Sequence, residues 1–188
     1  MKFTTLFYAI FGAIITVVIL NLVALLGVIS VQDELIEASE KRYQSYMLAD
    51  ELRQSSDDLT RLARTYSVTG DSRYVDQYNT ILDIRNGKAP RPMDYERIYW
   101  DFVAVNNQKP RPDSNETIAL TKKMEELGFT KAEFDMLKES EARSNHLVDI
   151  ETRAMNAVAG RFMDENGRYS VIGQPDSILA INLTHSKE

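Results

Sequence analysis

The chain has 188 residues with no Cys, 22 basic and 28 acidic side chains, and a net charge of −6, a length that fits one ordinary domain. The absence of Cys excludes disulfides, thiolate metal sites and thiol nucleophiles. The acidic balance argues against nucleic acid as a partner, because binding to a phosphate backbone requires a basic surface.

Charged residues are almost absent from the first part of the chain. Lys2 is the only charged residue before Asp33, and residues 6–31 are almost wholly apolar. This run exceeds the about 20 residues with which a helix crosses a bilayer core, and it is longer than the apolar run of about 7–15 residues in a cleavable signal peptide. We therefore predict that residues 1–32 form a cytoplasmic N-terminus and an uncleaved transmembrane anchor. A signal peptide and a buried core helix are the alternatives.

The charges on either side of the anchor predict its orientation. Lys2 and the amino group precede the apolar run, whereas acidic residues such as Asp33 and Glu34 follow it. Positive charge favours the cytoplasmic side of a membrane. We therefore expect residues 33–188 to face outward. In a bacterium this means a single-pass protein of the inner membrane with the bulk of the chain in the periplasm.

The helical pattern continues beyond the anchor. No Gly or Pro occurs between Gly27 and Gly70, and apolar or small residues recur at a helical period along one narrow face as far as Tyr66. One continuous helix is therefore predicted to run to Thr69, with Gly70 as a left-handed C-terminal cap. Such a helix requires partner helices to bury its apolar stripe.

Further helices are predicted from the spacing of apolar residues and from cap signals. They cover about residues 72–84, 95–105, 113–127, 130–162 and 176 onward. Thr130 and Glu133 form a predicted capping box, Asp176 or Ser177 caps the last helix, and residues 164–167 form a turn. No strand-like alternation persists in the sequence, and the predicted fold class is therefore all-α.

No residue pattern indicates catalysis or a metal site. The only His residues are His146 and His185. His146, Asp149 and Glu151 are conceivable metal ligands, and His146 and Asp149 share one predicted helix face. A metal site needs three or four converging ligands, however, and a solvated or interhelical His146 is the preferred interpretation. No pair among the 28 acidic residues stands out for general acid–base work. We expect no enzymatic activity, no catalytic residues, no metal ion and no cofactor.

Three arginines are candidates for binding a small ligand. Arg61 and Arg64 lie three residues apart on the first long helix, and Arg73 follows its end. Because Arg is suited to a bidentate grip on a carboxylate, they predict a pocket between helices for a small organic anion. The alternative is that these arginines pair with acidic neighbours on a solvated face, namely Asp57, Asp58 and Asp71.

An aromatic stretch supplies the other candidates. Tyr95, Tyr99 and Trp100 follow a loop at residues 85–92 that contains two Pro and three basic residues. Aromatic walls with a few charged groups suit a ligand pocket, and we take Tyr99 and Trp100 as candidate ligand contacts. The alternative is a cap that packs on the distal end of a helical bundle.

Two segments carry a resemblance to a known family. They are residues 50–71, which read DELRQSSDDLTRLARTYSVTGD, and residues 81–92, ILDIRNGKAPRP, followed by the tetrapeptide IYWD at 98–101. These segments resemble the extracytoplasmic sensor region of bacterial methyl-accepting chemotaxis proteins. Related sensor regions precede some histidine kinases and diguanylate cyclases. The resemblance covers most of the chain after the anchor.

The resemblance implies a fold, an assembly and a mode of action. It implies an antiparallel four-helix-bundle-like sensor between two transmembrane helices, paired in a homodimer, with a HAMP linker and a methylated coiled coil beyond the second span. The sequence departs from this pattern because it has no second apolar run and no HAMP-like segment. We therefore expect residues 33–188 to be a sensor domain that is C-terminally incomplete.

Taken together, these features predict the ligand-sensing portion of a membrane chemoreceptor, in which a ligand-induced helix displacement passes across the membrane. Two alternatives stay open. One is a membrane-tethered helical scaffold that binds a protein partner with its distal cap. The other is the sensor region of a histidine kinase or a diguanylate cyclase.

Overall fold

The computed structural model describes residues 3–185, apart from the side chains of residues 5, 138, 140, 141 and 143. Lys2, on which the predicted orientation depends, and Glu188 lie outside the described residues. The described chain is mostly helical, with helices α1 (Phe3–Thr69), α2 (Arg73–Arg85), α3 (Trp100–Asn106), α4 (Leu120–Leu127), α5 (Lys131–Val158) and α6 (Ser177–His185). Two short antiparallel strands, β1 (Arg161–Phe162) and β2 (Val171–Ile172), pair Arg161 with Ile172.

The chain divides into two compact units, Met1–Gln44 and Ser45–Glu188. In the first unit the described apolar side chains of α1 are all exposed, with Leu20 and Val23 each 62% accessible. By length and composition this part of α1 is able to cross a membrane. Its exposure argues against the alternative of a buried core helix.

In the second unit the predicted stripe of α1 forms one side of the main hydrophobic core. Leu59, Leu62, Ala63 and Tyr66 are buried at the spacing of one helix face. They pack in one cluster with residues of α2, α3 and α5, including Tyr78, Ile81, Trp100, Val103 and Met155. The elements that bury the α1 stripe are thus those that also carry the aromatic candidates.

Smaller clusters attach the remaining helices. Leu52 of α1 packs against Leu120 and Met124 of α4. Ala154 and Ala157 of α5 pack against Ala180 of α6, together with partly buried neighbours. Small side chains at this contact allow the two helix backbones to approach closely.

The start of α3 is later than predicted. A helix was expected from Tyr95, but α3 begins at Trp100. Asp94 has a left-handed φ of 49°, and its carbonyl accepts from the backbone N–H of Arg97 at 3.1 Å. The chain thus forms a turn at residues 94–97 where the first turn of the helix was expected, and the buried Tyr95 and Tyr99 lie against Trp100.

The start of α4 is also later than predicted. The expected caps at 113–115 are wrong, because α4 begins at Leu120. The Arg91 N–H donates to the Glu116 carbonyl at 2.9 Å, and the Ser114 N–H donates to the Arg91 carbonyl at 2.8 Å. Backbone groups that pair across two segments in this way are not free to form the first turn of a helix.

The ends of α5 show one confirmed prediction and one error. The capping box of Thr130 and Glu133 is present. The helix ends at Val158 rather than near residue 162, because Gly160 adopts a φ of 68° and the chain then enters β1.

The β1–β2 pair was not predicted, since strands of two residues are too short to show alternation. The predicted cap by Asp176 is confirmed by its hydrogen bond from the Leu179 N–H at 2.8 Å.

Candidate functional site

Two of the three predicted arginines have nearby carboxylate partners. Arg61 Nη2 donates to Asp58 Oδ1 at 2.6 Å and lies 3.3 Å from an oxygen of Asp101. Arg73 Nη2 donates to Asp71 Oδ2 at 2.7 Å in the turn after α1. Both pairs agree with the alternative that these arginines pair with acidic neighbours, but Asp58 is 8% exposed, so the Arg61 pair lies on a half-buried rather than a solvated face.

Arg64 differs from the other two. Its Nε donates to the carbonyl of Thr184 at 2.8 Å and so links α1 to α6. Among the described residues, its two terminal amino groups make no hydrogen bond and no ion pair. Arg64 lines a pocket of about 330 Å³ between three helices, which we name the α1–α5–α6 pocket. Its other lining residues are Thr60, Leu147, Ile150, Glu151, Leu183 and Thr184.

The α1–α5–α6 pocket contains a buried carboxyl group. Glu151 is 4% exposed, and its Oε2 accepts from the Tyr78 hydroxyl at 2.9 Å. Its Oε1 has no hydrogen-bond partner among the described residues. Burial raises the pKa of Glu151 above its usual value. Four neighbours act in the opposite direction but do not offset the burial, namely the hydroxyls of Thr60 and Tyr78 and the positive charges of Arg64 and Arg85. An unsatisfied buried acceptor costs about 1–3 kcal/mol, and because this oxygen has less than 1 Å² of accessible surface, a molecule in the pocket does not reach it.

Glu151 was not among the predicted site residues. The sequence did contain a signal for it, because Glu151 stands in register with Leu147 and Val148 on the predicted apolar face of α5. An acidic residue at such a position is either buried or marks a gap in the stripe. Only the packing of α5 against α1 and α2 decides between the two.

A second polar group is buried where α1, α2 and α5 meet. Arg85 Nη1 donates to Ser144 Oγ at 3.0 Å, and Arg85 Nη2 donates to Asn145 Oδ1 at 3.0 Å. The Ser144 hydroxyl also shares a hydrogen bond of 2.7 Å with the Ser56 hydroxyl of α1. This network connects the end of α2 to both long helices.

Arg91 holds the loop between α2 and α3 against α1. It is 5% exposed, and its Nη2 donates to Glu51 Oε1 at 2.8 Å. Its Nη1 lies 3.6 Å from Glu116, which in turn binds Lys123 at 2.9 Å. The pKa of Glu51 is raised, because burial outweighs the opposing hydrogen bond and charge of Arg91. Burial also raises the pKa of Glu116. The hydrogen bond and charge of Lys123 outweigh this effect, so the pKa of Glu116 is lower than usual.

The aromatic candidates lie together in a separate place. Trp100 Nε1 donates to the Tyr95 hydroxyl at 2.7 Å, and the Tyr99 ring packs edge-on against both rings. Tyr99 and Trp100 line a second pocket, of about 180 Å³, which we name the aromatic pocket. Its other lining residues are Asp76, Gln77, Thr80, Ile84, Ala89, Pro90, Pro92, Val103, Asn107, Lys109 and Asp113. The structure therefore brings Tyr99 and Trp100 together, but it places them apart from Arg64 and Arg73.

Among the residues that the structure describes, no group of three or more His, Asp or Glu side chains is arranged to hold a metal ion. No family model, curated protein or solved structure matches the chain. The resemblance to chemoreceptor sensor regions therefore depends on the sequence segments alone, and function has to be inferred from the geometry of the pockets.

Proposed function

We propose that this chain is the ligand-sensing portion of a membrane receptor of the chemotaxis type, with α1 as its membrane anchor. The observation that supports this most is the α1–α5–α6 pocket, because Thr60 and Arg64 of its wall belong to the same helix as the apolar segment. By resemblance to chemoreceptor sensor regions, the receptor is a homodimer in the bacterial inner membrane. Its outer helices form a four-helix-bundle-like sensor in the periplasm.

The pocket chemistry favours a small organic anion. The terminal amino groups of Arg64 suit a carboxylate. Leu147, Ile150 and Leu183 provide apolar walls, which is the usual composition of a small-molecule site.

Signalling follows from the link between α1 and α6. The hydrogen bond from Arg64 to the Thr184 carbonyl joins these helices directly beside the pocket. A ligand that binds Arg64 shifts the arrangement of α1 and α6 only if it has different affinities for the two arrangements. In the family that the sequence resembles, such a displacement of the last sensor helix passes to the output domain, which is a chemotaxis, kinase or cyclase module.

The proposal is tested by thermal unfolding of the full chain in detergent micelles with a panel of organic acids, amino acids and amines. An acid that binds only the folded chain raises the unfolding midpoint, with about 2.7 kcal/mol of stabilisation at one hundred times its Kd. We expect Arg64→Ala to remove this shift and Arg73→Ala to keep it, because Arg73 carries the same charge outside the pocket. Absence of any shift, or its persistence in Arg64→Ala, contradicts the proposal.

A scaffold is the second candidate function, and exposed apolar residues in and just before α3 favour it. Ile98, Phe102 and Val105 are 57%, 54% and 81% exposed, and exposed apolar side chains are a feature of protein interfaces. A photo-crosslinker placed at Val105 that captures one defined protein in cells, in a chain whose unfolding midpoint no ligand shifts, favours the scaffold over the receptor.

A further inference from the structure

Arg64 is held so that one edge of its guanidinium stays available to a ligand. The residue is exposed on α1, and its Nε donates to the Thr184 carbonyl at 2.8 Å, which orients the group beside α6. Its two terminal amino groups have no partner among the described residues. Two parallel N–H donors match the two oxygens of one carboxylate. The α1–α5–α6 pocket therefore has a reachable anchor for a single carboxylate.

A second carboxylate would find no cation in the pocket. Among the described residues that line it, Arg64 is the only basic one. The other ionisable residue of the lining is Glu151, whose carboxyl is close enough to Arg64 for the guanidinium charge to lower its pKa. A second carboxylate on the ligand would lose hydration without gaining a positive partner, which is costly. The lining therefore disfavours dicarboxylates.

An ammonium group would find no acceptor that it can reach. The free oxygen of Glu151 has less than 1 Å² of accessible surface, and the Thr60 hydroxyl is hydrogen-bonded to the same carboxyl. Thr184 is buried, with its hydroxyl donating to the Ala180 carbonyl at 2.9 Å and its own carbonyl accepting from Arg64. An amino acid or an amine would therefore lie with its positive charge unpaired beside a guanidinium.

The remaining walls are aliphatic and reachable. Leu147 and Ile150 are three residues apart on α5 and share a helix face, and Leu183 belongs to α6. Leu147 is 38% exposed and the other two are half-buried, so a ligand can cover apolar surface on all three. The pocket volume of about 330 Å³ is close to the lower limit of about 300 Å³ for small-molecule sites, which suits a short chain.

We propose that the α1–α5–α6 pocket binds a short aliphatic monocarboxylate, whose carboxylate is held by the terminal amino groups of Arg64 and whose chain lies against the aliphatic walls on α5 and α6. This inference rests on the proposed function, which places a small organic anion at Arg64. It narrows that anion to acids with one charge and an apolar tail.

Probes with five carbon atoms test the assignment, because each differs from pentanoate in one group. Glutarate has a second carboxylate, norvaline adds an α-ammonium group, and pentanamide replaces the carboxylate by a neutral amide. Isothermal titration calorimetry of the full chain in detergent micelles measures each affinity, with empty micelles as the reference. We expect pentanoate to bind at least about tenfold more tightly than the other three probes, and Arg64→Ala to abolish its binding.

The outcomes distinguish this inference from the proposed function. Equal or tighter binding of glutarate or norvaline that Arg64→Ala abolishes overturns the monocarboxylate assignment and leaves the receptor proposal intact. The same holds if pentanoate does not bind while another organic acid does. Equal binding of pentanamide, or pentanoate binding that persists in Arg64→Ala, also overturns the assignment. If no organic acid, amino acid or amine binds, both proposals fail.

A chain-length series tests the placement of the tail. From acetate through propionate and butyrate to pentanoate, we expect the affinity to rise about two- to fourfold with each added methylene. Leu147→Gln puts a polar group into the wall, which flattens this rise and weakens pentanoate about three- to tenfold, while acetate keeps its affinity. Met136→Gln makes the matched change at an exposed position of α5 outside the pocket and keeps the wild-type series.

Circular dichroism checks that both variants are folded. If Leu147→Gln does not fold, the wild-type series decides, because an affinity that is independent of chain length contradicts an aliphatic wall. An unchanged series in Leu147→Gln, or equal flattening in Met136→Gln, overturns the placement of the chain against α5.

Discussion

At the residue scale, the buried carboxyl of Glu151 makes stability depend on pH. Burial raises its pKa above the ordinary value of 4.5, so the folded chain binds this proton more tightly than the unfolded chain. The resulting stabilisation is complete below pH 4.5 and is lost as the pH rises through the raised pKa. We expect the free energy of unfolding of wild type, relative to Glu151→Gln, to increase as the pH falls from neutral toward 4.5.

Glu133 provides a control of the opposite sign. Its hydrogen bonds with the Thr130 backbone and hydroxyl lower its pKa, so its contribution is present at neutral pH and is lost as the pH falls. Urea unfolding in detergent micelles at several pH values measures Glu151→Gln and Glu133→Gln against wild type. A Glu151→Gln profile parallel to that of wild type over this range would show that the Glu151 carboxyl is not perturbed by burial.

The polar residues of the pockets differ in how far the sequence indicated them. Arg64, Tyr99 and Trp100 stood out by residue type and now line pockets. Glu151 and Gln77 did not, because a polar residue becomes a buried, unpartnered group only through contacts with other elements. No local pattern around Gln77 distinguishes it from a solvated helix residue.

At the element scale, local signals located helix ends that depend on neighbouring residues. The left-handed Gly70, the capping box at Thr130 and the Asp176 cap each involve a few consecutive residues. The predicted start of α3 was wrong because the chain turns at Asp94, and that of α4 was wrong because backbone pairing between Arg91 and Glu116 competes with helix formation. Such pairing joins distant segments, and helical periodicity does not report it.

The turn after α5 gives a prediction about Gly160. It has a φ of 68°, and a Cβ added there would lie 2.6 Å from the Gly173 carbonyl oxygen. Gly167 has a similar φ of 75° with no atom within 4 Å of such a Cβ. We expect Gly167→Ala to lower the free energy of unfolding by about 1 kcal/mol, and Gly160→Ala to lower it by at least about 2 kcal/mol, because a backbone clash adds to the strain.

Urea unfolding of both variants measures this difference. The two variants share the left-handed strain, so the difference between them isolates the contact of Gly160 with Gly173. This contact sits beside the hydrogen bond from the Gly173 N–H to the Gly160 carbonyl at 2.8 Å, which closes the hairpin ahead of α6. Equal losses would mean that the hairpin moves freely relative to the end of α5.

At the scale of the whole molecule, the composition changes at Asp33, whereas the compact units divide after Gln44. The described side chains of the uncharged run, residues 3–32, are exposed along α1 in the Met1–Gln44 unit. The charged residues lie mainly in the Ser45–Glu188 unit, which contains the buried cores. An exposed apolar helix of this length is unfavourable in water and favourable in a bilayer. The apolar segment itself was evident in the sequence, because it depends on residue type along one stretch rather than on packing.

The orientation of the chain in the membrane is directly testable, because the chain has no native Cys. A single Cys introduced at an exposed site reports which side of the membrane it occupies. Thr4 precedes the apolar run, and Asn115 lies in the exposed loop before α4. Because positive charge at Lys2 favours the cytoplasmic side, Asn115→Cys should react with a membrane-impermeant maleimide in intact bacterial spheroplasts.

Thr4→Cys should react only after the membrane is permeabilised. Both variants are labelled after detergent solubilisation, which confirms that each thiol is accessible and that the signal depends on sidedness. Labelling of Thr4→Cys from outside, with Asn115→Cys protected, reverses the orientation and places the ligand pockets in the cytoplasm. Release of both variants in soluble form supports the alternative of a cleavable signal peptide, since a chain without its apolar segment has nothing to hold it in the bilayer.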